Sequence, residues 1–420
     1  MSETQASQER IAQMWSEVNL PALADEFGAP LYVYHSGIIK HQYERLCSAF
    51  DVPRLELHYA CKACSNLEVM RLVRTLGAGL DCVSLNEIRL GLAAGFSVSD
   101  ILFTPNGVSY AEMVAAIELG IGINVDNISM LEQLGHSHPE VPVCVRVNPH
   151  IMAWGNSKIS VGHIDSKFGI SIYQLTHVRR VVEATGQRVI GIHMHTGSDI
   201  LDVAPFLTAA DILLDAATKF PDLEYVDFGS GFKVPYKPGG ISTDIEEVGK
   251  LMSRRFRDFC EDYGRELALV FEPGKFLVSQ AGKFLAEVNV VKPTPSTVFA
   301  GLNTGLNHLL RPMFYDAHHE INNASNPDGK KRIYTVVGYI CETDTFGQNR
   351  QIAEVREGDI LSFDNAGAYC MTMASNYNAR ERPAEVLLHE GRAHLVRRRE
   401  RFEDIVAVQV ETGLFEGVAA

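Results

Sequence analysis

From residue 57 onward, short apolar runs alternate with segments whose apolar residues recur every three or four positions. That is the pattern of strands followed by amphipathic helices. Residues 57–63 read as a buried strand. Behind it Val69, Leu72, Val73 and Leu76 fall on one helical face, and Gly77 closes the segment. The unit then repeats. Residues 79–83 read as a strand, and Ser84 with Glu87 has the spacing of a capping box opening a helix that ends at Gly95. Strand 101–104 precedes a second capping box, Ser109 with Glu112, and a helix ending at Gly120. Strand 122–125 precedes Asn127, an N-cap, and a helix predicted to stop at Gly135. These four strand–helix units recur at about 21–22 residues, and further strands are read at 143–147, 189–195, 225–228 and 268–272. Eight strands joined by helix-length connections predict an α/β fold, a closed (β/α)8 TIM-like barrel rather than an open doubly wound sheet.

After about residue 283 the helical period fades. Runs at 284–291, 298–302, 332–340, 352–363 and 385–396 predict an all-β domain of sandwich or barrel type. The strand-like residues 30–34 precede the barrel and are expected to pair with the C-terminal sheet, which makes the β domain discontinuous. The division expected is a barrel at 36–282 and a β domain from 1–35 and 283–420, the latter contributing substrate-site and dimer-interface residues. Residues 322–331 are polar with Pro and Gly, an exposed loop.

Composition narrows the function. The 420 residues are 46% hydrophobic and 21% charged, which excludes a disordered or collagen-like chain. Lys and Arg number 38 against 52 Asp and Glu, a formal charge of -14, so nucleic acid and anionic membrane surfaces are not expected partners. No apolar run reaches the ~18 residues of a membrane span. Residues 1–10 lack a secretory leader's basic end and apolar centre. Eight cysteines scattered along the chain then read as reduced thiols in a cytoplasm.

In such a barrel, chemistry sits at the C-terminal ends of the strands. The first strand ends at Lys62 and the second carries Asp81; the sixth brings His193 and His195, then Ser198. The seventh runs into Gly229-Ser230-Gly231, and the eighth into Glu272-Pro-Gly274-Lys275. The glycine-rich turn offers closely spaced backbone N–H groups to an anion, where barrel enzymes often hold phosphate; the plain alternative is a tight turn. Ser198 and Gly274 are placed to converge on the same point. Lys62 lies in an apolar strand, where burial lowers a lysine's pKa and makes it a nucleophile toward carbonyls; the alternative is an ion pair with Asp81. Cys61 and Cys64 flank it in Cys-x-x-Cys spacing, but at a strand end rather than a helix start, so they read as structural. His193 and His195 would share one face of a strand, a pairing that suits zinc, although no third ligand stands out and no metal is expected. A nucleophilic lysine, a phosphate cradle, the carboxylate Glu272 for a pyridine nitrogen and the imidazole of His195 for an aromatic ring together meet the requirements of pyridoxal 5'-phosphate.

With these residues assembled, the chain resembles the fold-type III PLP-dependent decarboxylases, the group acting on diaminopimelate, ornithine and arginine, and most closely the diaminopimelate branch. The resemblance runs from about Pro30 to Val410. Its motifs are His58-Tyr-Ala-Cys-Lys62-Ala-Cys-Ser-Asn66, Asp165-Ser-Lys-Phe-Gly-Ile170, Gly191-Ile-His-Met-His195-Thr-Gly-Ser198, Gly229-Ser-Gly-Phe232 and Glu272-Pro-Gly-Lys275. Leu310-Arg-Pro-Met-Phe-Tyr315, Cys341-Glu-Thr343 and Gly367-Ala-Tyr369 follow. The resemblance implies that Lys62 holds the cofactor covalently, that His195 stacks on its ring and that Glu272 keeps the ring nitrogen protonated. It implies phosphate binding by Ser198, Gly229, Ser230, Gly231, Gly274 and Tyr369. It implies that Cys341 donates a proton from the partner subunit of a homodimer, that Glu342 contacts the substrate's distal amine, and that Arg311 and Tyr315 clamp its distal carboxylate. Read without the resemblance, Arg311 is a loop ion pair, Tyr315 a core aromatic with one wet end, and Cys341 a buried hydrophobe at a strand end. Many relatives carry Arg where this chain has Lys275, which keeps the charge but loses the bidentate fork. Trp154 stands where a small residue is usual.

The expectation is a carboxy-lyase of lysine biosynthesis that converts meso-2,6-diaminopimelate to L-lysine and CO2. The alternatives are a decarboxylase of ornithine, lysine, arginine or carboxynorspermidine on the same scaffold, or a catalytically silent PLP-binding homologue. Ornithine and lysine end in a cation that Arg311 repels, and an intact set of Lys62, Glu272 and Cys341 speaks against silence.

Overall fold

A computed structural model of the chain describes residues 2–151, 166–197 and 203–412. Its strands in chain order are β1 (Leu31–His35), β2 (Leu55–Ala60), β3 (Gly79–Cys82), β4 (Ile101–Phe103), β5 (Gly122–Val125) and β6 (Val143–Asn148). Next come β7 (Ile170–Ser171), β8 (Val189–His193), β9 (Tyr225–Asp227), β10 (Ala268–Phe271), β11 (Gly282–Pro293) and β12 (Val298–Leu302). The last are β13 (Ile321–Asn323), β14 (Lys331–Val337), β15 (Thr345–Ala353), β16 (Ile360–Phe363), β17 (Ala384–His389) and β18 (Arg392–Arg397).

Eight parallel strands lie in the order β5-β4-β3-β2-β10-β9-β8-β6, and pairing of β5 with β6 closes the ring. All eight strands read from the sequence are members of it. The local signals explain why. The Ser84 side chain accepts from Glu87 N at the start of helix Leu85–Ala94, Ser109 and Glu112 form a full capping box, and Asn127 accepts from Met130 N at 2.8 Å. One predicted stop is corrected. The helix Ile128–Ser137 runs through Gly135. A Cβ there would lie 2.7 Å from Thr185 Oγ1, so this glycine serves close packing against helix Leu175–Thr185 and not termination.

The second sheet has nine strands, with the path β15-β14-β12-β11-β1-β17-β18 and β16 pairing both β11 and β13. β1, from before the barrel, lies antiparallel to β11 (Leu31 opposite Leu285) and parallel to β17 (Leu31 opposite Ala384). The discontinuous β domain is therefore present. Three predicted runs have different bounds: 352–363 breaks between β15 and β16, 385–396 folds into the β17–β18 hairpin, and 332–340 ends at Val337. Residues 322–331 open within β13 before the loop begins.

Two contacts lock the β domain over the barrel mouth. Gly367 approaches the helix Lys275–Val278 so closely that a Cβ on it would overlap the carbonyl of Val278. Just beyond, the backbone N–H of Tyr369 donates to the carbonyl of Ala63, at 2.8 Å. Among the described residues no helix is long and apolar enough to cross a membrane.

Candidate active site

β2 ends at Ala60, and one turn of 3-10 helix, Cys61–Ala63, carries Lys62 into the barrel mouth. Lys62 is thus past the strand end, not on it. Its Nζ lies 2.7 Å from Asp81 Oδ2 on β3, and its side chain remains 40% accessible, as for a group facing a cavity. The expected drop in its pKa is corrected. Burial does press against the charge, but Asp81, Tyr369 and Glu272 outweigh it and raise the pKa above the ordinary lysine range. In the protein as it stands Lys62 is the ion-pair partner of Asp81. Cys61 and Cys64 are buried thiols, as a structural role requires.

Glu272 follows β10 directly and is 7% exposed. Its Oε2 lies 3.2 Å from His193 Nε2, and its Oε1 accepts from Thr104 Oγ1 at 3.4 Å. Burial alone would neutralise this carboxyl, but His193 and the charge of Lys62 hold it well below the usual carboxylate range. His193 and His195 part company. β8 ends at the fully buried His193, whereas half-buried His195 lies past the strand and accepts the Ser230 N–H on Nδ1, at 3.3 Å. Burial, with Arg146 and Lys62 nearby, pushes the His195 pKa down to about 3, so the ring is neutral. His193, Asp227 and Glu272 bring one ligand atom each within 4.8 Å of one another. Two of the three are bonded to each other, and Asp227 Oδ1 accepts from Gly229 N at 2.8 Å.

The turn after β9 explains its glycines. Gly229 has φ 62° and Gly231 φ 123°, values that side chains disfavour. A Cβ on Gly229 would stand 2.7 Å from both His195 Nδ1 and Met194 O. Gly274 opens the short helix Lys275–Val278 and lies over Ala60 and Ala63, where a Cβ would meet their Cβ atoms at 3.2 and 3.1 Å. Ser230 is buried between them in sequence, while Ser198, Trp154 and Asp165 lie outside the described residues.

The β domain supplies the second wall. Arg311 begins the helix Arg311–Tyr315, is 8% exposed, and donates from Nη2 to Tyr236 Oη at 3.0 Å. Its guanidinium carbon is 5.7 Å from the Tyr315 ring centre, so it is a buried cation flanked by two phenols. Lys275 is 9% exposed, with Nζ 5.9 Å from the centre of the Tyr236 ring. Tyr369, in the left-handed region at φ 56°, is raised in pKa by burial against the pull of the Lys62, Lys275 and Arg311 charges. Cys341 differs from expectation. β14 ends four residues earlier, and the thiol is exposed in a turn, 3.5 Å from Glu342 Oε2. Glu342 is exposed as well and accepts from the Tyr377 hydroxyl.

Two residues escaped the sequence reading. Arg146 on β6 is 7% exposed and sits 4.8 Å over the Phe168 ring, adding a cation to the interior carboxylates. A charge inside the apolar run 143–147 was a visible signal, of the same kind that pointed to Lys62. Tyr236 had none, because a loop tyrosine has no periodic context.

The arrangement can hold an aldehyde on Lys62, a flat ring against His195 with Glu272 beneath, a phosphate on the glycine turn and a second anion at Arg311. The family described as "Pyridoxal-dependent decarboxylase, pyridoxal binding domain" matches residues 36–279. A diaminopimelate decarboxylase of Methanothermobacter thermautotrophicus is 40% identical over 398 residues, 92% of this chain and 93% of that one. A crystal structure of diaminopimelate decarboxylase superposes with TM-score 0.87 at 33% identity, covering 94% of this chain and 96% of the other. The Helicobacter pylori diaminopimelate decarboxylase complexed with L-lysine superposes with TM-score 0.84 at 28% identity, covering 92% and 98%.

Proposed function

The chain belongs to the pyridoxal-dependent decarboxylases, and we infer that its reaction is the decarboxylation of meso-diaminopimelate to L-lysine and CO2. The observation that carries the substrate reading is Arg311, a cation only 8% exposed at the mouth of a site that already holds Lys62. A buried cation of this kind favours a substrate with a carboxylate at its far end, and disfavours ornithine or lysine, whose far end is an amine.

The residues fit pyridoxal phosphate. Gly229 leaves open a space that a Cβ would close against His195, and Glu272 keeps its negative charge in a buried position where a pyridine nitrogen could share a proton. Lys62, Asp81, His195, Glu272, Gly274, Tyr369 and the Gly229–Ser230–Gly231 turn are the residues proposed to hold it. The chemistry pyridoxal phosphate supplies when bound is an electron sink for the bond to the departing carboxylate. In the free protein Asp81 holds Lys62 in place and in its charged form, at the position where the cofactor aldehyde would meet it. Glu272, ionised and braced by His193, keeps a proton on its partner at the base of the site. Neutral His195 offers a flat face and no competing charge. Arg311, with Lys275 and Tyr315, orients the substrate by its distal carboxylate, so that only one end lies over Lys62.

Cys341 is the proposed donor, from Sγ, of the proton that replaces CO2. Its exposure, and that of Glu342 beside it, fit a site completed by a second copy of the chain, with Glu342 reaching the distal amine. A homodimer and a cytoplasmic setting, the latter from eight free thiols, are parts of this reading.

The test is a panel of amino acids offered to the purified protein with pyridoxal phosphate. Lysine and CO2 in equal amounts from meso-diaminopimelate are expected. Turnover of ornithine or arginine with no lysine from meso-diaminopimelate would overturn the substrate.

A further inference from the structure

Between the two cations at the substrate end stands one side chain that the reaction scheme does not use. Tyr236 lies in the loop after the glycine turn. Its Oη accepts from Arg311 Nη2 at 3.0 Å, and its ring centre is 5.5 Å from the Arg311 guanidinium carbon and 5.9 Å from Lys275 Nζ. The ring is itself fixed from behind. Asn365 Nδ2 donates to the carbonyl of the preceding Pro235 at 3.0 Å. The fully buried His319 stands edge-on to the Tyr236 ring, with centres 6.4 Å apart and planes at 81°. His319 is anchored in turn, its Nδ1–H donating to the Asp364 carbonyl at 2.8 Å. Tyr236 also lines a cavity of about 770 Å³ shared with Trp15, Gln280 and Lys283, so packing on that side does not hold it.

A guanidinium presents its donors in a rigid planar fork, and what the fork can grip depends on which way the plane is turned. A phenol oxygen that takes one N–H fixes that plane. The same ring lies near Lys275, whose point charge has no orientation of its own. We propose that Tyr236 is the positioning residue for selection of the distal carboxylate: it turns Arg311 and, with Lys275 across its ring, makes the two cations one anion site. This rests on the substrate reading above and deepens it. In a chain where Lys275 stands beside the site, the fork of Arg311 is an oriented donor set, and the bond to Tyr236 fixes its plane.

The experiment is steady-state kinetics of Tyr236→Phe with meso-diaminopimelate. The change removes one oxygen and leaves the ring. Loss of a hydrogen bond to a charged group predicts a KM about tenfold higher, with kcat within about twofold. Pyridoxal phosphate affinity and the melting temperature should match the wild type. Pimelate, a dicarboxylate without amines, should weaken as an inhibitor by the same factor, and cadaverine, a diamine without carboxylates, should not. In the Arg311→Met background, Tyr236→Phe should add nothing further, since its effect passes through Arg311. An unchanged KM in Tyr236→Phe, an effect that persists in Arg311→Met, or a lower melting temperature with an equal loss of pimelate and cadaverine binding would each overturn the proposal. If wild-type protein releases no lysine from meso-diaminopimelate, the substrate reading fails instead, and the pimelate comparison still decides whether Tyr236 serves an anion site.

Discussion

Replacing Gly229 with Ala tests the cofactor cradle with a single methyl group. Two costs follow from the geometry. The residue sits at φ 62°, where a side chain costs about 1–2 kcal/mol. The new Cβ would also lie 2.7 Å from Met194 O and 2.7 Å from His195 Nδ1. Met194 O belongs to the backbone beside β8, and Met194 N is bonded to Asp227 O at 2.9 Å, so it yields little. His195 must move instead, which breaks its 3.3 Å bond from Ser230 N and shifts the turn proposed to hold phosphate. Overpacking of this kind adds about 1–3 kcal/mol. The free protein can relieve the clash by letting His195 and the turn separate, whereas the loaded protein needs both in place. The φ cost is paid with or without cofactor, so only the clash falls on binding, about 1–3 kcal/mol or at least about fivefold in the dissociation constant of pyridoxal phosphate. The assay is a titration followed by visible absorbance, with far-ultraviolet circular dichroism to confirm the fold. Gly274→Ala is the internal control. Its Cβ would meet Ala63 and Ala60 at 3.1–3.3 Å in ordinary backbone, so its loss should be smaller. Wild-type affinity in Gly229→Ala, or a larger loss in Gly274→Ala, would refute the assigned cradle.

Lys62→Met should abolish the visible absorbance of bound cofactor and lower stability by about 1–3 kcal/mol, because fully buried Asp81 loses its partner while the lysine side stays open to solvent. Adding Asp81→Asn should recover the stability in thermal unfolding but not the activity. Glu272→Gln should lower kcat about a hundredfold or more. Because His193 and Lys62 depress the folded-state pKa of Glu272, its charged form persists below the unfolded-state pKa and is lost only in still stronger acid. An acid limb of the rate profile between pH 5 and 8 that disappears in Glu272→Gln would contradict this. Mixing Lys62→Ala with Cys341→Ala chains should restore up to about a quarter of wild-type activity if each site draws on two chains, the statistical share of sites with neither change. No recovery, with subunit exchange verified by mass, would place both residues in one chain's site.

The barrel was legible because its signals are local. Capping at Ser84, Ser109 and Asn127, and the apolar run of each strand, needed no knowledge of distant residues. The misreadings share the opposite property. Gly135 looked like a helix stop because its neighbour Thr185 is remote in sequence, and Lys62 looked like a depressed lysine because the sum of Asp81, Glu272 and Tyr369 exists only after folding. The candidate site divides the same way. Lys62, Asp81, Glu272 and the glycine turn are charges or glycines at the ends of apolar strands, where the fold class itself says chemistry belongs. Arg311, Cys341 and Glu342 lie on the β domain, where no comparable rule marks a functional end, and only resemblance pointed to them. Tyr236 lacked even that, since its role depends on an arginine 75 positions away. On the proposed reading, cofactor chemistry depends on residues whose setting is written nearby in the chain, whereas substrate choice depends on contacts between the barrel and the β domain. Selectivity on this scaffold can therefore change through loop and β-domain residues such as Tyr236 and Arg311, while the barrel mouth that carries Lys62 and Glu272 stays as it is.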